Sequence, residues 1–165
     1  MPALYDIAEV VAATGGVARD VAAKTVSSIS IDSREIAAGG LFVAIKGENF
    51  DGHDFVAKAI EAGAVAALVS KDKAGDLSGL PLIVAEDALQ GLYGLAAFSR
   101  SRSQARIIAV TGSVGKTSTK EAMRLALEAN GKTHASIKSF NNHWGVPLML
   151  ALMPADTEFG VFEIG

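Results

Sequence analysis

Ile107-Ile108-Ala109-Val110-Thr111-Gly112-Ser113-Val114-Gly115-Lys116-Thr117-Ser118-Thr119 is the stretch whose reading decides the fold. A β-branched apolar run stops at a glycine-containing turn and passes straight into Lys-Thr and a helical pattern, the strand, loop and helix order of a phosphate-binding loop. Glycines let backbone N–H groups close around phosphate oxygens, and the helix N-terminus adds the positive end of its dipole. Lys116 brings a mobile charge and Thr117 a hydroxyl able to ligate Mg²⁺. Gly112, Ser113, Val114, Gly115, Lys116, Thr117 and Ser118 are therefore the candidate nucleotide-binding residues. The match to G-x-x-x-x-G-K-[ST] is incomplete, because Val110 stands where the first glycine should and the extra glycine is Gly112.

Working outward, Ala122, Met123, Ala126 and Leu127 share one helix face that stops at Asn130-Gly131. Lys132 to Ser136 reads as a strand, Phe140 to Gly145 as a polar loop, and Pro147 to Leu152 as a helix with proline in its first turn. The chain closes on Phe159-Gly160-Val161-Phe162-Glu163-Ile164-Gly165, an apolar strand interrupted by one carboxylate. In parallel α/β sheets ligand groups gather at the carboxyl ends of strands, so Glu163 is placed to face Mg²⁺. An acid in an apolar strand also serves as an edge charge or a salt-bridge partner. So little sheet makes an incomplete nucleotide domain, and the chain is expected to be a piece of something longer.

Upstream, Leu4, Ile7, Ala8, Val10 and Val11 fall at helical spacing ahead of Thr14-Gly15-Gly16. Ile29 to Arg34 alternates like a strand, and Leu41 to Ile45 reads as a second one. Lys46 to His53 is a loop rich in turn formers, followed by a helix from Asp54 to Ala62, a buried strand Ala66 to Val69 and a short strand Leu82 to Val84. Asp87 is an N-cap for a helix carrying Leu89, Leu92, Ala96 and Phe98, and Ser99 to Gln104 reads as a basic, polar joint. This strand and helix alternation predicts an α/β protein of two domains, residues 1–84 and residues 85–165.

Bulk properties narrow the classes. The chain has 165 residues, half of them hydrophobic and 20% charged, which is a core-forming composition. A formal charge of −3 and the lack of a basic tail argue against nucleic-acid binding. Without cysteine there is no disulfide, zinc-thiolate site or thiol chemistry. The first residues carry no basic segment ahead of a long apolar one, and no apolar run reaches the ~18 residues of a membrane span. A soluble, cytoplasmic, monomeric protein is the expectation.

Thr111 to Thr117, with its early glycine at Gly112, resembles the phosphate loop of the Mur ligases and their folylpolyglutamate synthase relatives, which accounts for the departure at Val110. Asp32-Ser33-Arg34, Gly40 to Ala44, Gly47, Asp51 to Phe55 and Gly63-Ala64 are similar to the uridine-nucleotide domain of the two family members that add the third residue and the terminal dipeptide. Ser139-Phe140-Asn141-Asn142, Gly145-Val146-Pro147-Leu148 and Phe162 to Gly165 are most similar to the member that adds D-alanyl-D-alanine.

The resemblance implies a small N-terminal uridine-nucleotide-binding α/β domain followed by the first part of a P-loop-type parallel α/β central domain. It implies ATP-dependent phosphorylation of the terminal carboxylate of UDP-N-acetylmuramoyl-tripeptide and attack of D-alanyl-D-alanine on the acyl phosphate, a step of peptidoglycan synthesis. Gly112 to Ser118 would bind ATP, Lys116 and Glu163 would be catalytic, Thr117 and Glu163 would hold Mg²⁺, and Ile31, Ser33, Glu48, Asn49, Phe50, Asn141 and Asn142 would touch the UDP-linked substrate. Asparagines also form turns with their own backbone, and His53 is either a ligand contact or a helix N-terminal histidine satisfied locally. Two other functions fit the residues: the ligase that adds the third stem-peptide residue, and a nucleotide-binding module with no catalysis of its own.

Overall fold

The computed structural model describes residues 3–138 and 140–165. Ser139, quoted above ahead of the paired asparagines, lies outside the described residues. The chain divides into two compact units, one ending at Leu95 and one covering Ala96–Gly165.

The first unit opens with a short strand β1 (Tyr5–Asp6) and helix α1 (Ile7–Thr14). The helix starts later than the apolar spacing suggests, because Leu4 and Ile7 give their N–H groups to the carbonyls of Val26 and Lys24. That tie pairs β1 with β3 (Thr25–Val26). Glu9 returns its carboxylate to the Asp6 N–H, the reciprocal half of a capping box.

The main sheet of this unit runs in the order β2-β7-β6-β5-β4. Strands β4 (Ile29–Ser30), β5 (Leu41–Val43), β6 (Ala66–Ser70) and β7 (Leu82–Ala85) are parallel, and β2 (Val17–Arg19) is antiparallel at the edge. Strand β6 is buried throughout, as a central parallel strand covered on both faces must be. Phe42, Val56, Ala59, Ala67, Val69 and Leu82 pack into one core.

The strand expected over 29–34 ends at Ser30. Ser30 Oγ takes the Asp32 N–H at 3.0 Å and Asp32 Oδ1 takes the Arg34 N–H at 2.9 Å, so short polar side chains replace the ladder with a turn. The helix expected from Asp54 begins as a 3₁₀ turn (Gly52–Phe55) and becomes α2 (Val56–Glu61).

Helix α3 (Ala88–Arg102) is capped by Asp87, whose Oδ1 accepts the Gln90 N–H at 2.8 Å. The compact units divide inside this helix, past the expected boundary near Ala85. Its first turns belong to the N-terminal core: Leu92 and Leu95 are fully buried, and a Cβ at Gly94 would overlap the Ala13 carbonyl oxygen. The expected joint over 99–104 is helical as far as Arg102, and Ser99 is buried with its hydroxyl on the Met153 carbonyl at 3.0 Å.

The second unit holds a parallel sheet ordered β8-β10-β9, built from β8 (Arg106–Val110), β9 (Thr133–Ala135) and β10 (Phe159–Glu163). Helix α4 (Lys116–Glu128) and helix α5 (Gly145–Ala151) complete it. Val161, Phe162, Leu148, Met149 and Met153 form its buried interior. The closing strand stops at Glu163, since Gly165 turns away to give its N–H to the Asn141 carbonyl at 2.8 Å.

Candidate functional site

The phosphate loop lies between the end of β8 and the start of α4. Gly112 has φ 148° and Gly115 φ 78°, and no neighbour crowds a Cβ at Gly115, so backbone conformation rather than space demands glycine there. Val110 is still in the strand, buried and in register with Glu163. The chain makes its turn two residues later, at Gly112, and a glycine at 110 has no task.

Residues 111–115 are solvent-exposed, with their backbone open to a ligand. Lys116 folds back across the loop, its Nζ donating to the Gly112 carbonyl at 2.7 Å. A phosphate entering the loop would offer that ammonium a charged acceptor in place of a neutral one, a stronger bond.

Glu163 ends the central strand of the sheet, so it is no edge charge. It is 2% exposed. Its Oε2 accepts the Thr117 hydroxyl at 2.9 Å, its Oε1 accepts Asn141 Nδ2 at 2.8 Å, and its own N–H reaches Ser136 Oγ at 3.2 Å. Burial pushes the carboxyl up, but the Asn141 and Thr117 hydrogen bonds and the charges of Lys120 and Lys116 outweigh it, and the group sits below its ordinary value. It is held ionised, as a metal ligand must be.

Thr117 and Glu163 thus present two adjacent oxygens beside the phosphate loop. Among the described residues no three His, Cys, Asp or Glu side chains cluster. The donor set is hard oxygen and sparse, which fits Mg²⁺, an ion that keeps several waters and binds through one carboxylate plus substrate phosphates.

The paired asparagines separate. Asn141 reaches Glu163, while Asn142 Oδ1 accepts the Gly145 N–H at 2.8 Å and opens α5. Asn142 Oδ1 thus makes the local turn bond that Asn141 Nδ2 does not.

In the N-terminal unit, Ile31 and Ser33 follow β4, while Glu48, Asn49 and Phe50 follow β5, its parallel neighbour. Both loops emerge from the carboxyl ends of adjacent strands. Ser33 is buried, and Phe50 is 75% exposed at a tip closed by the Gly47 N–H on the Phe50 carbonyl. His53 proves to be satisfied locally. Its Nδ1 is 2.6 Å from Asp51 Oδ1, its Nε2 accepts the Ser70 N–H at 3.0 Å, and Ser70 Oγ accepts the Ala88 N–H.

The sequence reading missed Lys120 and Ser136. Lys120 is buried with its Nζ on the Ser136 carbonyl at 2.7 Å. The available signal was its spacing of four from Lys116 and three from Thr117, which puts all three on one helix face.

Two family models match, the Mur ligase family catalytic domain over residues 25–99 and the Mur ligase middle domain over residues 110–165. The chain belongs to the Mur ligase family. Lys116, Thr117, Asn141, Asn142 and Glu163 lie in the middle-domain match, and Ile31, Ser33, Glu48, Asn49 and Phe50 in the other. Among its relatives, the UDP-N-acetylmuramoyl-tripeptide--D-alanyl-D-alanine ligase of Rickettsia prowazekii is 40% identical over 140 residues, covering 84% of this Mur ligase chain and 30% of the relative. The chain thus spans about a third of that relative's length. A crystal structure of MurF from Acinetobacter baumannii superposes with a TM-score of 0.81 at 31% identity, over 98% of this chain and 36% of that one. MurF ligase from Thermotoga maritima in complex with ADP gives 0.61 at 30% identity, over 82% of this chain and 31% of that one.

Proposed function

We propose that this chain carries the uridine-side and phosphate-loop portions of an ATP-dependent ligase that joins D-alanyl-D-alanine to UDP-N-acetylmuramoyl-tripeptide in the cytoplasm. The observation that carries the reading is the buried Glu163 carboxylate, bonded to Thr117 and Asn141 at the mouth of the phosphate loop. The activity that the Rickettsia relative is named for and the ADP bound to the Thermotoga structure support the same assignment.

Phosphoryl transfer needs positioning and charge neutralisation more than covalent help from the protein. The exposed amides of residues 112–115 would wrap the β- and γ-phosphates, and Lys116 would leave the Gly112 carbonyl for them. Thr117 and Glu163 would hold Mg²⁺, which would supply neutralisation of phosphate charge. Asn141 would orient the muramoyl-peptide end. The substrate carboxylate takes the γ-phosphoryl group and releases ADP; the amine of D-alanyl-D-alanine then displaces phosphate and forms the amide. Ile31, Ser33, Glu48, Asn49 and Phe50 would hold the uridine.

Titration calorimetry with UDP-N-acetylmuramoyl-tripeptide tests the reading. We expect a dissociation constant of tens of micromolar, about −6 kcal/mol, and a tighter fit than for the UDP-muramoyl-dipeptide. No heat up to millimolar ligand overturns the uridine-side assignment. Equal affinity for both peptides favours the ligase that adds the third residue.

A further inference from the structure

Lys120 lies one turn beyond Lys116 and Thr117 on α4, yet it is 1% exposed while the phosphate loop stands in solvent. A buried ammonium is costly unless each of its three protons finds an acceptor. Three acceptors surround it: the Ser136 carbonyl at 2.7 Å, Glu121 Oε1 at 3.2 Å and the Lys138 carbonyl at 3.5 Å. With those bonds made the ammonium has no proton left for a phosphate, so its work is on the protein.

That work is on the segment after β9. Ser136 is held at three atoms: its N–H donates to the Val161 carbonyl at 2.9 Å, its carbonyl takes Lys120, and its hydroxyl takes the Glu163 N–H at 3.2 Å. Two residues on, Lys138 stands at φ 53°, a left-handed conformation that a non-glycine residue keeps only where its surroundings impose it. Lys120 Nζ lies 3.5 Å from the carbonyl of that strained residue, a long hydrogen bond. The segment then leads to Asn141, the partner of the other Glu163 oxygen.

Resting on the nucleotide reading of the phosphate loop, we infer that Lys120 is a positioning residue. Its buried ammonium bends the 136–138 backbone so that the Ser136 hydroxyl fixes the Glu163 backbone N–H and Asn141 holds the Glu163 carboxylate beside Thr117, ready for the divalent ion. One helix turn then serves two purposes: Lys116 and Thr117 meet the nucleotide, and Lys120 sets the acid that meets the metal. Partners behind a metal ligand typically govern affinity by 10 to 100-fold.

The test is calorimetric titration of this chain with ATP across a Mg²⁺ series, on protein shown by circular dichroism to be folded. Lys120→Met should raise the Mg²⁺ concentration at half-maximal ATP binding about tenfold, with metal-free ATP binding unchanged. Lys120→Arg, which keeps a charged donor, should recover part of that loss. Ser136→Ala removes only the hydroxyl under Glu163 and should shift the Mg²⁺ requirement in the same direction, which keeps the test decisive if Lys120→Met does not fold. An unchanged Mg²⁺ requirement in Ser136→Ala and in folded Lys120→Met or Lys120→Arg overturns the inference and leaves Lys120 as a core contact. Absence of Mg²⁺-dependent ATP binding in the unmodified chain overturns the nucleotide reading and this inference with it.

Discussion

The two units place polar chemistry at the carboxyl ends of parallel strands, but they use it in opposite ways. In the N-terminal unit Asp51, His53, Ser70 and the Ala88 N–H form a chain in which both imidazole nitrogens are consumed internally. In the second unit the chain through Ser136, Glu163 and Thr117 runs outward and ends beside a loop whose lysine rests on a neutral carbonyl. A closed network is worth stability, and an open one is worth binding. Histidine beside an aspartate would conventionally draw the eye as chemistry; here its Nε2 lone pair is already spent on a backbone N–H.

The harshest way to break that distinction is to remove the charge at the open end. Lys116→Ala, in a protein of the relatives' full length, should lower ligase turnover about 100-fold or more, some 3 kcal/mol of transition-state stabilisation, with the melting temperature unchanged. Turnover at the unmodified rate would show that the loop is not the ATP site.

Removing the centre of the closed network should do the reverse. His53→Ala leaves Asp51 and the Ser70 N–H without their buried partner and opens a void, at about 3 kcal/mol measured by urea unfolding. Mg²⁺-dependent ATP binding should be untouched where the protein remains folded. A loss of ATP affinity with stability preserved would mean that the network is not closed in function.

The same network predicts an acid limb. Burial works against Asp51 ionisation, yet the His53 side-chain and backbone hydrogen bonds and the Lys73 contact win, lowering its carboxyl to about 2. An unfolded aspartate titrates near 3.9. Because the folded value is the lower, the stabilisation is complete above about pH 4 and is lost as pH falls toward about 2. Its size is on the order of 2 kcal/mol. Asp51→Asn should flatten unfolding free energy across that window; an unaltered slope would assign the acid limb to other carboxylates.

How legible this was depended on the range of the forces involved. Strand β8, the Gly112 turn and α4 could be read because β-branched residues, positive-φ glycines and helix periodicity are local signals. Glu163 could be read because a lone carboxylate in an apolar strand must be explained by something. The turn at Ser30 to Arg34 was misread as strand, since polar alternation looks the same whether the side chains face solvent or bond their own backbone. Strands β1, β2 and β3 were invisible, being two or three residues long and fixed by partners elsewhere in the chain. Lys120 was missed because a lysine on a helix ordinarily faces water, and its burial is decided by carbonyls 16 and 18 residues away.

The mildest perturbation sharpens the comparison most, because it separates binding from stability within the N-terminal unit itself. Phe50 stands 75% exposed at the tip of the loop between Gly47 and Asp51. The loop backbone is held without it, by the Lys46 to Asp51 bridge, the Gly47 N–H on the Phe50 carbonyl and the Asp51 carboxylate on His53. Truncating the ring to Ala removes little buried area and no hydrogen bond, so unfolding free energy should move by less than about 0.5 kcal/mol. An aromatic ring presented on a hydrogen-bonded tip is well suited to stack on a base, a contact worth about 1–3 kcal/mol. Phe50→Ala should therefore weaken UDP binding about tenfold, read by competition calorimetry, while the melting curve stays superimposable. Unchanged UDP affinity would move the uridine contact away from this loop. A stability loss above about 1 kcal/mol would instead make Phe50 part of the closed network, and the division between a loop that binds and a network that holds would fail within this unit.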